Sequence, residues 1–286
     1  MSGDPFVTHR SLLFTVAYEM LGSAADAEDV VQETWLRWDR VDQAEVHDPR
    51  GYLVRIVTRQ SLNRLRTLAR QREQYIGEWL PEPLLTSPDV AEDVEFAENV
   101  SIAMLTVLET LGPAERAVFV LHEVFETPYN EIAEAVGKTP AAVRQVARRA
   151  RDHVAARRPR MQVDRAQQQA AVEKFMAAIN TGDVQGLMEV LAPDVVLIAD
   201  GGGQVATAPE PVIGAEKLLA YFASAKFPDL VATTAWFNGT QGIRVHIAGE
   251  LTAISLTVED GRITRIYAIS NPQKLGWLEK VADLQR

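Results

Sequence analysis

The sequence contains no cysteine. This excludes disulfide bonds, thiol catalysis, redox regulation through the protein's own thiols and zinc sites with cysteine ligands. No stretch approaches the roughly 18 to 20 unbroken apolar residues that a membrane helix needs, and the N-terminal residues lack a basic-then-apolar leader. We therefore expect a cytoplasmic protein with no membrane partner. With 47% hydrophobic and 24% charged residues, the 286-residue chain has the composition of a folded protein of two or three domains.

Basic residues are outnumbered overall, but they are concentrated in two blocks. The formal net charge of −10 alone argues against a polyanionic partner. Residues 50–72, however, carry seven basic and no acidic side chains, and residues 138–160 carry eight basic and one acidic. Acidic stretches flank both blocks. The pattern predicts two separate phosphate-facing surfaces, although charge alone leaves open two solvated basic helices.

Hydrophobic periodicity and composition divide the chain into four segments. Apolar residues that recur every three or four positions predict a helical bundle over residues 1–75 and a second small helical domain over residues 100–160. Between them, residues 76–99 contain three prolines, seven carboxylates and no basic residue, which predicts an acidic linker. The remaining residues, 161–286, form the fourth segment.

The C-terminal segment combines helical periodicity with strand-like stretches rich in Ile, Val and Thr. Asn238-Gly239 and Asp260-Gly261 lie between such stretches, and these dipeptides supply the positive φ angles of tight hairpins. We expect a curved antiparallel sheet wrapped by helices. Helices followed by strands indicate separate folding units.

Residues 129–148, YNEIAEAVGKTPAAVRQVAR, have the spacing of a helix-turn-helix motif. Ala133 is the small residue where the two helices touch, and Gly137 provides the positive φ of the turn. Thr139 would cap the second helix, and Pro140 suits its first turn.

The second helix of this motif would expose a polar face. Val143 and Val146 are expected to face the core, and four side chains then point outward: Arg144, Gln145, Arg148 and Arg149. Arg and Gln can form bidentate hydrogen bonds with guanine and adenine edges, and neighbouring Arg can hold phosphates. A helical hairpin with a solvated basic face is the alternative.

An acidic helix is predicted over residues 26–38, DAEDVVQETWLRW. Val30, Val31 and Trp35 are expected to pack inward. One side of the helix carries three polar residues: Asp29, Gln32 and Glu33.

A basic helix is predicted over residues 49–72. It combines Tyr52 with side chains suited to unstacked bases and their phosphates: Arg55, Arg59, Asn63, Arg64 and Arg66. An acidic helix face next to a basic helix indicates two different partners.

These motifs resemble a known family. Residues 26–37 followed by a basic helix look like region 2 of bacterial RNA polymerase sigma factors, and residues 111–151 look like region 4. Two such regions joined by a short linker are similar to the extracytoplasmic-function (ECF) class. The C-terminal segment resembles SnoaL-like domains. The strings WLPEP (79–83), DGGGQ (200–204) and NPQKL (271–275) are similar to those of the ECF group with a fused SnoaL-like extension.

The resemblance implies a fold and a function. The fold would be two all-α domains, a region 2 bundle and a region 4 helix-turn-helix, followed by an α+β cone of the NTF2-like type. The function would be to bind core RNA polymerase and to direct promoter-specific transcription initiation. The protein would not be an enzyme, and no cofactor and no metal site are expected.

The resemblance also implies roles for particular residues. Asp29, Gln32 and Glu33 would contact the clamp helices of the polymerase β′ subunit, and region 4 would contact the β flap. The second helix of the helix-turn-helix would read the −35 duplex. Four residues would contact the melted −10 strand of the promoter DNA: Arg55, Arg59, Asn63 and Arg64.

We further hypothesise that the C-terminal domain regulates the sigma regions in cis by binding the linker. Trp79 and two prolines form a stiff, partly apolar segment of the kind that inserts into grooves. Gln204 and Gln273 stand where the family usually has Lys and Asp, and a neutral Gln cannot form a salt bridge at either position. A linker that is only a tether is the alternative. The predicted regulatory contacts are Trp79, Leu80, Pro81, Pro83, Asp200, Gly201, Gly202, Gly203, Asn271, Pro272, Lys274 and Leu275.

Two other functions stay open. A helix-turn-helix regulator whose cone senses a small ligand would bind duplex DNA tightly without polymerase. An isomerase or cyclase with a DNA-binding appendage would use Asp200, His246 or Tyr221, although His246 on a strand is more simply a single polar residue on one face. The sequence favours the sigma factor because an enzyme explains neither basic block.

Overall fold

The computed structural model describes residues 4–157, 165–224, 230–247 and 249–286. The domain boundary predicted between residues 160 and 161 therefore lies outside the described residues. In the ranges described, no helix is both long enough and apolar enough to cross a membrane.

Helices account for most of the N-terminal half. Within the described ranges there are eleven α-helices: α1 (Pro5–Leu21), α2 (Ala24–Trp38), α3 (Pro49–Arg72), α4 (Val94–Val100), α5 (Ile102–Leu108), α6 (Pro113–Phe119), α7 (Tyr129–Val136), α8 (Pro140–Arg157), α9 (Arg165–Thr181), α10 (Val184–Val190) and α11 (Ala215–Ser224). The strands all follow α10. Those in the described residues are β1 (Leu191–Asp200), β2 (Val212–Ile213), β3 (Val231–Phe237), β4 (Thr240–Ile247), β5 (Glu250–Glu259) and β6 (Arg262–Ile269).

By their contacts the described residues form two compact units. The first contains residues 4–74, 105–157 and 283–286. The second contains residues 75–104 and the described part of residues 165–282. The predicted fold class, helical N-terminal domains followed by an α+β domain, is confirmed.

Helix starts in the first unit follow local capping chemistry. Asp4 accepts a hydrogen bond from the backbone N–H of Phe6 at 2.9 Å and so caps α1. Ser23 caps α2 in the same way through the N–H of Asp26, at 3.1 Å. Helix α1 ends at Gly22, whose φ is +66°.

The expectation that Trp35 packs inward is wrong. Trp35 is 42% exposed, whereas Trp38 is 1% exposed and donates its indole N–H to Asp4 Oδ1 at 3.2 Å. Trp38 shares a helix face with the buried residues Val31 and Thr34, because it lies seven and four positions after them. Trp35 lies to the side of that face.

The second unit contains one sheet in the described residues, with strand order β2-β1-β6-β5-β4-β3. Asn238-Gly239 and Asp260-Gly261 form the two predicted hairpin turns, with φ between +50° and +74° at all four residues. The expected all-antiparallel sheet is wrong in one place, since β1 and β6 pair in parallel. Residues far apart in sequence, such as Leu197 and Ile266, are neighbours in this pair, and no local turn signal marks such a pairing.

The sheet has an apolar core on each face. Helices α9, α10 and α11 cover one face with side chains such as Val172, Phe175 and Leu218. On the other face, Phe237 and Ile269 pack in a cluster with Leu80 from the predicted acidic linker.

The predicted acidic linker is a folded part of the second unit. It contains a short 3-10 helix over Pro88–Glu92 followed by α4. Leu80 and Leu84 have no exposed surface, and even Glu82 is buried. The segment folds in spite of its negative charge, because its apolar side chains are buried against the sheet. The alternative of a solvated tether does not describe this segment.

Candidate nucleic-acid interface and linker clamp

Helices α7 and α8 form the predicted helix-turn-helix. Gly137 has φ of +68° and ends α7, and the Thr139 hydroxyl accepts a hydrogen bond from the N–H of Ala142 at 3.2 Å. Ile132 and Val143 are fully buried between the helices. The glycine turn and the threonine cap that predicted the motif are therefore both present.

The polar face of α8 is open to solvent. Val143, Val146 and Ala147 are buried on its inner side. The four residues predicted to read duplex DNA are all exposed: Arg144, Gln145, Arg148 and Arg149. Arg149 Nε is 3.7 Å from a carboxylate oxygen of Glu115, a distance typical of a loose surface pair.

The basic face of α3 is partly covered by α7. Arg55 Nη1 lies 2.8 Å from Oε2 of Glu134, near the end of α7. Arg59 donates to the backbone carbonyls of Glu134 and Ala135, at 2.8 and 3.4 Å. These carbonyls are at the C-terminal end of a helix, where the helix dipole favours a cation. Two of the predicted −10 contacts are thus engaged with the helix-turn-helix.

The acidic face of α2 is paired with α3. Arg64 bonds to Asp26 at 2.6 Å and lies 3.5 Å from Asp29, and the hydrogen bond to Asp26 raises the pKa of Arg64. Glu33 accepts a hydrogen bond from Gln60 at 2.6 Å. The predicted polymerase face and the predicted −10 face therefore share hydrogen bonds.

The remaining members of these two faces are accessible. Gln32 is exposed on α2, between Asp29 and Glu33, which are exposed as well. Asn63 is exposed on α3, and its amide oxygen accepts a hydrogen bond from Arg66 at 3.2 Å.

Asp200, at the end of β1, is the centre of a site that binds the linker. Its side chain has no exposed surface. Oδ2 accepts hydrogen bonds from the backbone N–H of Leu80 at 2.8 Å and from Lys274 Nζ at 2.7 Å. Oδ1 accepts a hydrogen bond from the hydroxyl group of Tyr75 at 2.5 Å. The pKa of Tyr75 is raised above its ordinary value, mainly by burial and to a lesser extent by this hydrogen bond. We call this site the linker clamp; it comprises Tyr75, Trp79, Leu80, Asp200, Asn271 and Lys274.

Lys274 joins the linker to the C-terminal string NPQKL. Its ammonium group donates to the carbonyl of Leu80 at 2.6 Å as well as to Asp200. It lies 4.0 Å from the centre of the Trp79 ring and 4.8 Å from that of Tyr75, which adds cation–π attraction. A buried ammonium is tolerated here because a carboxylate, a carbonyl and two aromatic faces surround it.

The glycines after Asp200 allow close approach of the backbone to this site. A Cβ at Gly202 would lie 2.2 Å from the side-chain nitrogen of Asn271, and Gly202 itself has a φ of +58°. A Cβ at Gly201 would lie 2.2 Å from the carbonyl of Val205, and Gly203 faces Ile76. The strings WLPEP, DGGGQ and NPQKL are thus adjacent in the fold.

The other predicted regulatory residues lie around the clamp. Pro81 and Pro83 are buried in the linker, Leu275 is buried in the cluster that contains Leu80, and Pro272 is exposed. Gln204 and Gln273, the two departures from the family pattern, are both exposed. Asp200 forms its ion pair with Lys274.

A second linker contact, at Asn238, is not predicted by the sequence. Asn238, interpreted only as a turn residue, is fully buried. Its side chain accepts from the N–H of Leu84 and donates to the carbonyl of Val100, each at 2.9 Å. Thr86 pairs with the end of β3 through the carbonyl of Trp236 at 2.9 Å. A turn asparagine and a tyrosine such as Tyr75 carry no sequence signal for such roles.

Three protein families match consecutive parts of the chain. Residues 6–71 match Sigma-70 region 2, residues 101–154 match Sigma-70 region 4, and residues 172–266 match the SnoaL-like domain. The region 4 match contains α7 and most of α8. The region 2 match contains the acidic face of α2 and the basic face of α3.

Whole-chain comparisons give the same result. The chain is 38% identical over 294 residues to the ECF RNA polymerase sigma factor SigJ of Mycobacterium tuberculosis, covering 96% of this chain and 93% of SigJ. The chain belongs to the ECF RNA polymerase sigma factors. This sigma factor is also 33% identical over 275 residues to the probable ECF sigma factor SigI of the same organism, covering 93% and 92% of the two chains. The crystal structure of SigJ matches with a TM-score of 0.76 and 35% identity, over 94% of this chain and 96% of that one.

Membership confirms the predicted function at the level of the family. As an ECF sigma factor the protein binds core RNA polymerase and directs transcription initiation at promoters. It is a transcription factor, and its C-terminal domain is SnoaL-like.

The three candidate catalytic residues of the enzyme hypothesis have separate surroundings. Asp200 is engaged in the linker clamp, and His246 is exposed on β4. Tyr221 packs against the core cluster that α9, α10 and α11 form on the other face of the sheet. This arrangement gives no pairing of an acid with a base.

Proposed function

We propose that this sigma factor reads its promoter with two basic faces and docks on polymerase with an acidic one. Helix α8 would read the −35 duplex through Arg144, Gln145 and Arg148, with Arg149 on phosphate. The observation that carries this assignment is that these four side chains are exposed while Val143 and Val146 fix the helix from within. Arg and Gln in this position suit guanine and adenine edges.

Helix α3 would contact the melted −10 strand through Arg55, Arg59, Asn63 and Arg64. Tyr52 lies beside Arg55, whose guanidinium is 5.2 Å from the ring centre. An aromatic ring next to guanidinium groups suits unstacked bases and their phosphates. In the free protein Arg55 and Arg59 hold α7, so this face would have to part from α7 before it binds DNA.

The acidic face of α2 would dock on the clamp helices of the polymerase β′ subunit, and region 4 would dock on the β flap. Asp29, Gln32 and Glu33 are exposed along one side of α2, beside the exposed apolar residues Trp35 and Leu36. Carboxylates around an apolar patch suit a protein partner with a basic rim.

The C-terminal domain would regulate promoter recognition in cis through the linker clamp. The linker is the covalent connection between regions 2 and 4, and Asp200 and Asn238 hold it at Leu80 and Leu84. A bound linker would limit how far the two regions can separate.

Run-off transcription with core polymerase tests the regulatory part. The variant combines Asp200→Asn with Lys274→Met, which removes both buried charges of the clamp together, and the control is Asp194→Asn, an exposed residue of the same strand. We expect the double variant to raise transcript yield by about threefold or more, and the control to match wild type. Equal yields from all three proteins would exclude regulation by the clamp.

Run-off transcription also tests the polymerase face. Asp29→Arg with Glu33→Arg should abolish both binding of core polymerase and transcript formation, because each substitution reverses a charge on the proposed docking face. Normal binding by this variant would place the polymerase contact elsewhere.

A further inference from the structure

Four ionisable side chains meet inside the first unit, away from the faces assigned above. Glu19 and Arg116 have almost no exposed surface, and Arg72 and Glu109 are largely buried. We call this set, Glu19, Arg72, Glu109 and Arg116, the charge network. Buried charges are uncommon unless they are paired, so the network needs an explanation.

Glu109 is shared by two arginines. Arg72 Nη1 contacts Oε2 of Glu109, and Arg116 Nη1 contacts Oε1 of the same carboxylate. Each arginine also donates to a backbone carbonyl at the end of α1: Arg116 to Glu19 at 2.9 Å and Arg72 to Leu21 at 2.8 Å.

The network joins the two DNA-binding regions. Arg72 ends α3 and Glu19 lies on α1, both helices of region 2. Glu109 follows α5, and Arg116 lies on α6, within region 4. The pair Arg72–Glu109 and the hydrogen bond from Arg116 to Glu19 are therefore contacts from one region to the other.

The pairing inside the network is incomplete. Within the described residues, Arg116 Nη2 and both carboxylate oxygens of Glu19 are buried without a hydrogen-bond partner. Buried ion pairs offset the cost of desolvation only while their partners are in place. If the two regions separate, water can solvate all four side chains. Glu109 therefore holds the two regions together. Once its contacts with the arginines are lost, hydration of the buried side chains favours separation of the regions.

The same packing of region 4 on region 2 covers part of the proposed −10 face. Arg55 and Arg59 of α3 bond to Glu134 and Ala135 at the end of α7, in the same unit as the network. Separation of the regions would release both guanidinium groups from their partners on α7.

We propose that the carboxylate of Glu109 holds region 4 against region 2 in the free protein, and that loss of its contact with Arg72 releases the −10 face of α3 from α7. The second half of this proposal rests on the function proposed above for Arg55 and Arg59. The first half concerns only the distance between the two regions.

Because the sequence contains no cysteine, spin labels attach only to cysteines that are introduced for a distance measurement. Spin labels at Thr67→Cys on α3 and Asn130→Cys on α7, both exposed positions, report the separation by pulsed electron resonance in the full chain without DNA or polymerase. We compare the labelled parent with Glu109→Gln and Arg72→Gln. The matched control is Glu73→Gln, which removes the same charge from an exposed position next to Arg72.

Both network variants should give a longer and broader distance distribution, while Glu73→Gln should match the parent. Circular dichroism checks folding. If Glu109→Gln is unfolded, Arg72→Gln decides the question, because the partly exposed Arg72 can be replaced without leaving a fully buried group. A parent-like distribution in the folded network variants would overturn the proposal.

Affinity for single-stranded −10 DNA separates this proposal from the function proposed above. Affinity should rise by up to about tenfold in the network variants, as expected if the open fraction grows from roughly a tenth to most of the molecules. A longer distance without a change in affinity would support the role of Glu109 and contradict the assignment of Arg55 and Arg59 to the −10 strand.

Discussion

Arg55 of helix α3 forms an ion pair with Glu134 of helix α7, with 2.8 Å between Nη1 and Oε2. The two side chains are 34% and 63% exposed, so solvent screens the pair and its contribution is at most about 1 kcal/mol. A guanidinium proposed to bind promoter DNA is therefore held weakly by region 4 of the same chain.

Replacing Glu134 with Gln should free Arg55. We expect affinity for single-stranded −10 DNA to rise by less than about fivefold, since the pair contributes no more than about 1 kcal/mol. Fluorescence anisotropy with a labelled oligonucleotide measures the change. Glu131→Gln, on the same helix and exposed, is the control for net charge. An equal gain in both variants would show that overall charge, rather than the ion pair, is responsible.

Removing the carboxyl group of Glu19 should change how stability depends on pH. Burial raises the pKa of Glu19 to about 8, and Arg116 acts in the opposite direction. The unfolded chain releases this proton near the ordinary glutamate value of about 4.3, so the native state binds more protons between these two values. The free energy of unfolding should therefore fall as pH rises from about 4.3 to 8, by a few kcal/mol in order of magnitude.

Urea denaturation at pH 5, 7 and 9 measures this dependence. Glu19→Gln cannot titrate, so its free energy of unfolding should vary less with pH than that of the wild type. Glu45→Gln, an exposed control, should follow the wild type. If Glu19→Gln also followed the wild type, Glu19 would not be the group that titrates.

Asp200→Asn should destabilise the second unit. The substitution leaves the ammonium of Lys274 buried without its carboxylate, a change that costs about 3 to 5 kcal/mol in other proteins. Chemical denaturation of the full chain measures the loss. Adding Lys274→Met should recover part of it, because the unpaired charge is then absent. If Asp200→Asn alone cost less than about 1 kcal/mol, the ion pair would not stabilise the linker.

Arg144→Ala should weaken and relax recognition of the −35 duplex. A bidentate contact with a base contributes about 1 to 3 kcal/mol of discrimination. Binding of polymerase holoenzyme to promoters with single −35 substitutions measures it. Lys217→Ala, an exposed cation on α11 in the other unit, should leave binding unchanged. A uniform loss across all promoter variants would identify Arg144 as a phosphate contact.

The sequence predicts those parts of the fold that depend on local chemistry. Gly137 and Thr139 define the helix-turn-helix because a positive φ and a cap are properties of single residues. The hairpins at Asn238-Gly239 and Asp260-Gly261 follow for the same reason. The three strings around Asp200 were identified through family resemblance, and local physics alone would not have placed them together.

Other features depend on partners that are distant in sequence. The parallel pairing of β1 with β6 and the role of Tyr75 at Asp200 are of this kind. The helical pattern also does not decide between Trp35 and Trp38 as the buried tryptophan, since each lies four positions after a buried residue, Val31 or Thr34. Glu109 carries no signal at all, because its importance comes from two arginines on other helices.

The linker is held at Leu80 by Asp200 and at Leu84 by Asn238. Four residues of chain span at most about 14 Å, so the number of residues between Leu80 and Leu84 cannot change while both contacts are kept. One inserted or deleted residue there would move Leu84 away from Asn238 or Leu80 away from Asp200. Among relatives that keep both contacts, we therefore expect length variation in the linker to fall after Thr86 and not between Leu80 and Leu84.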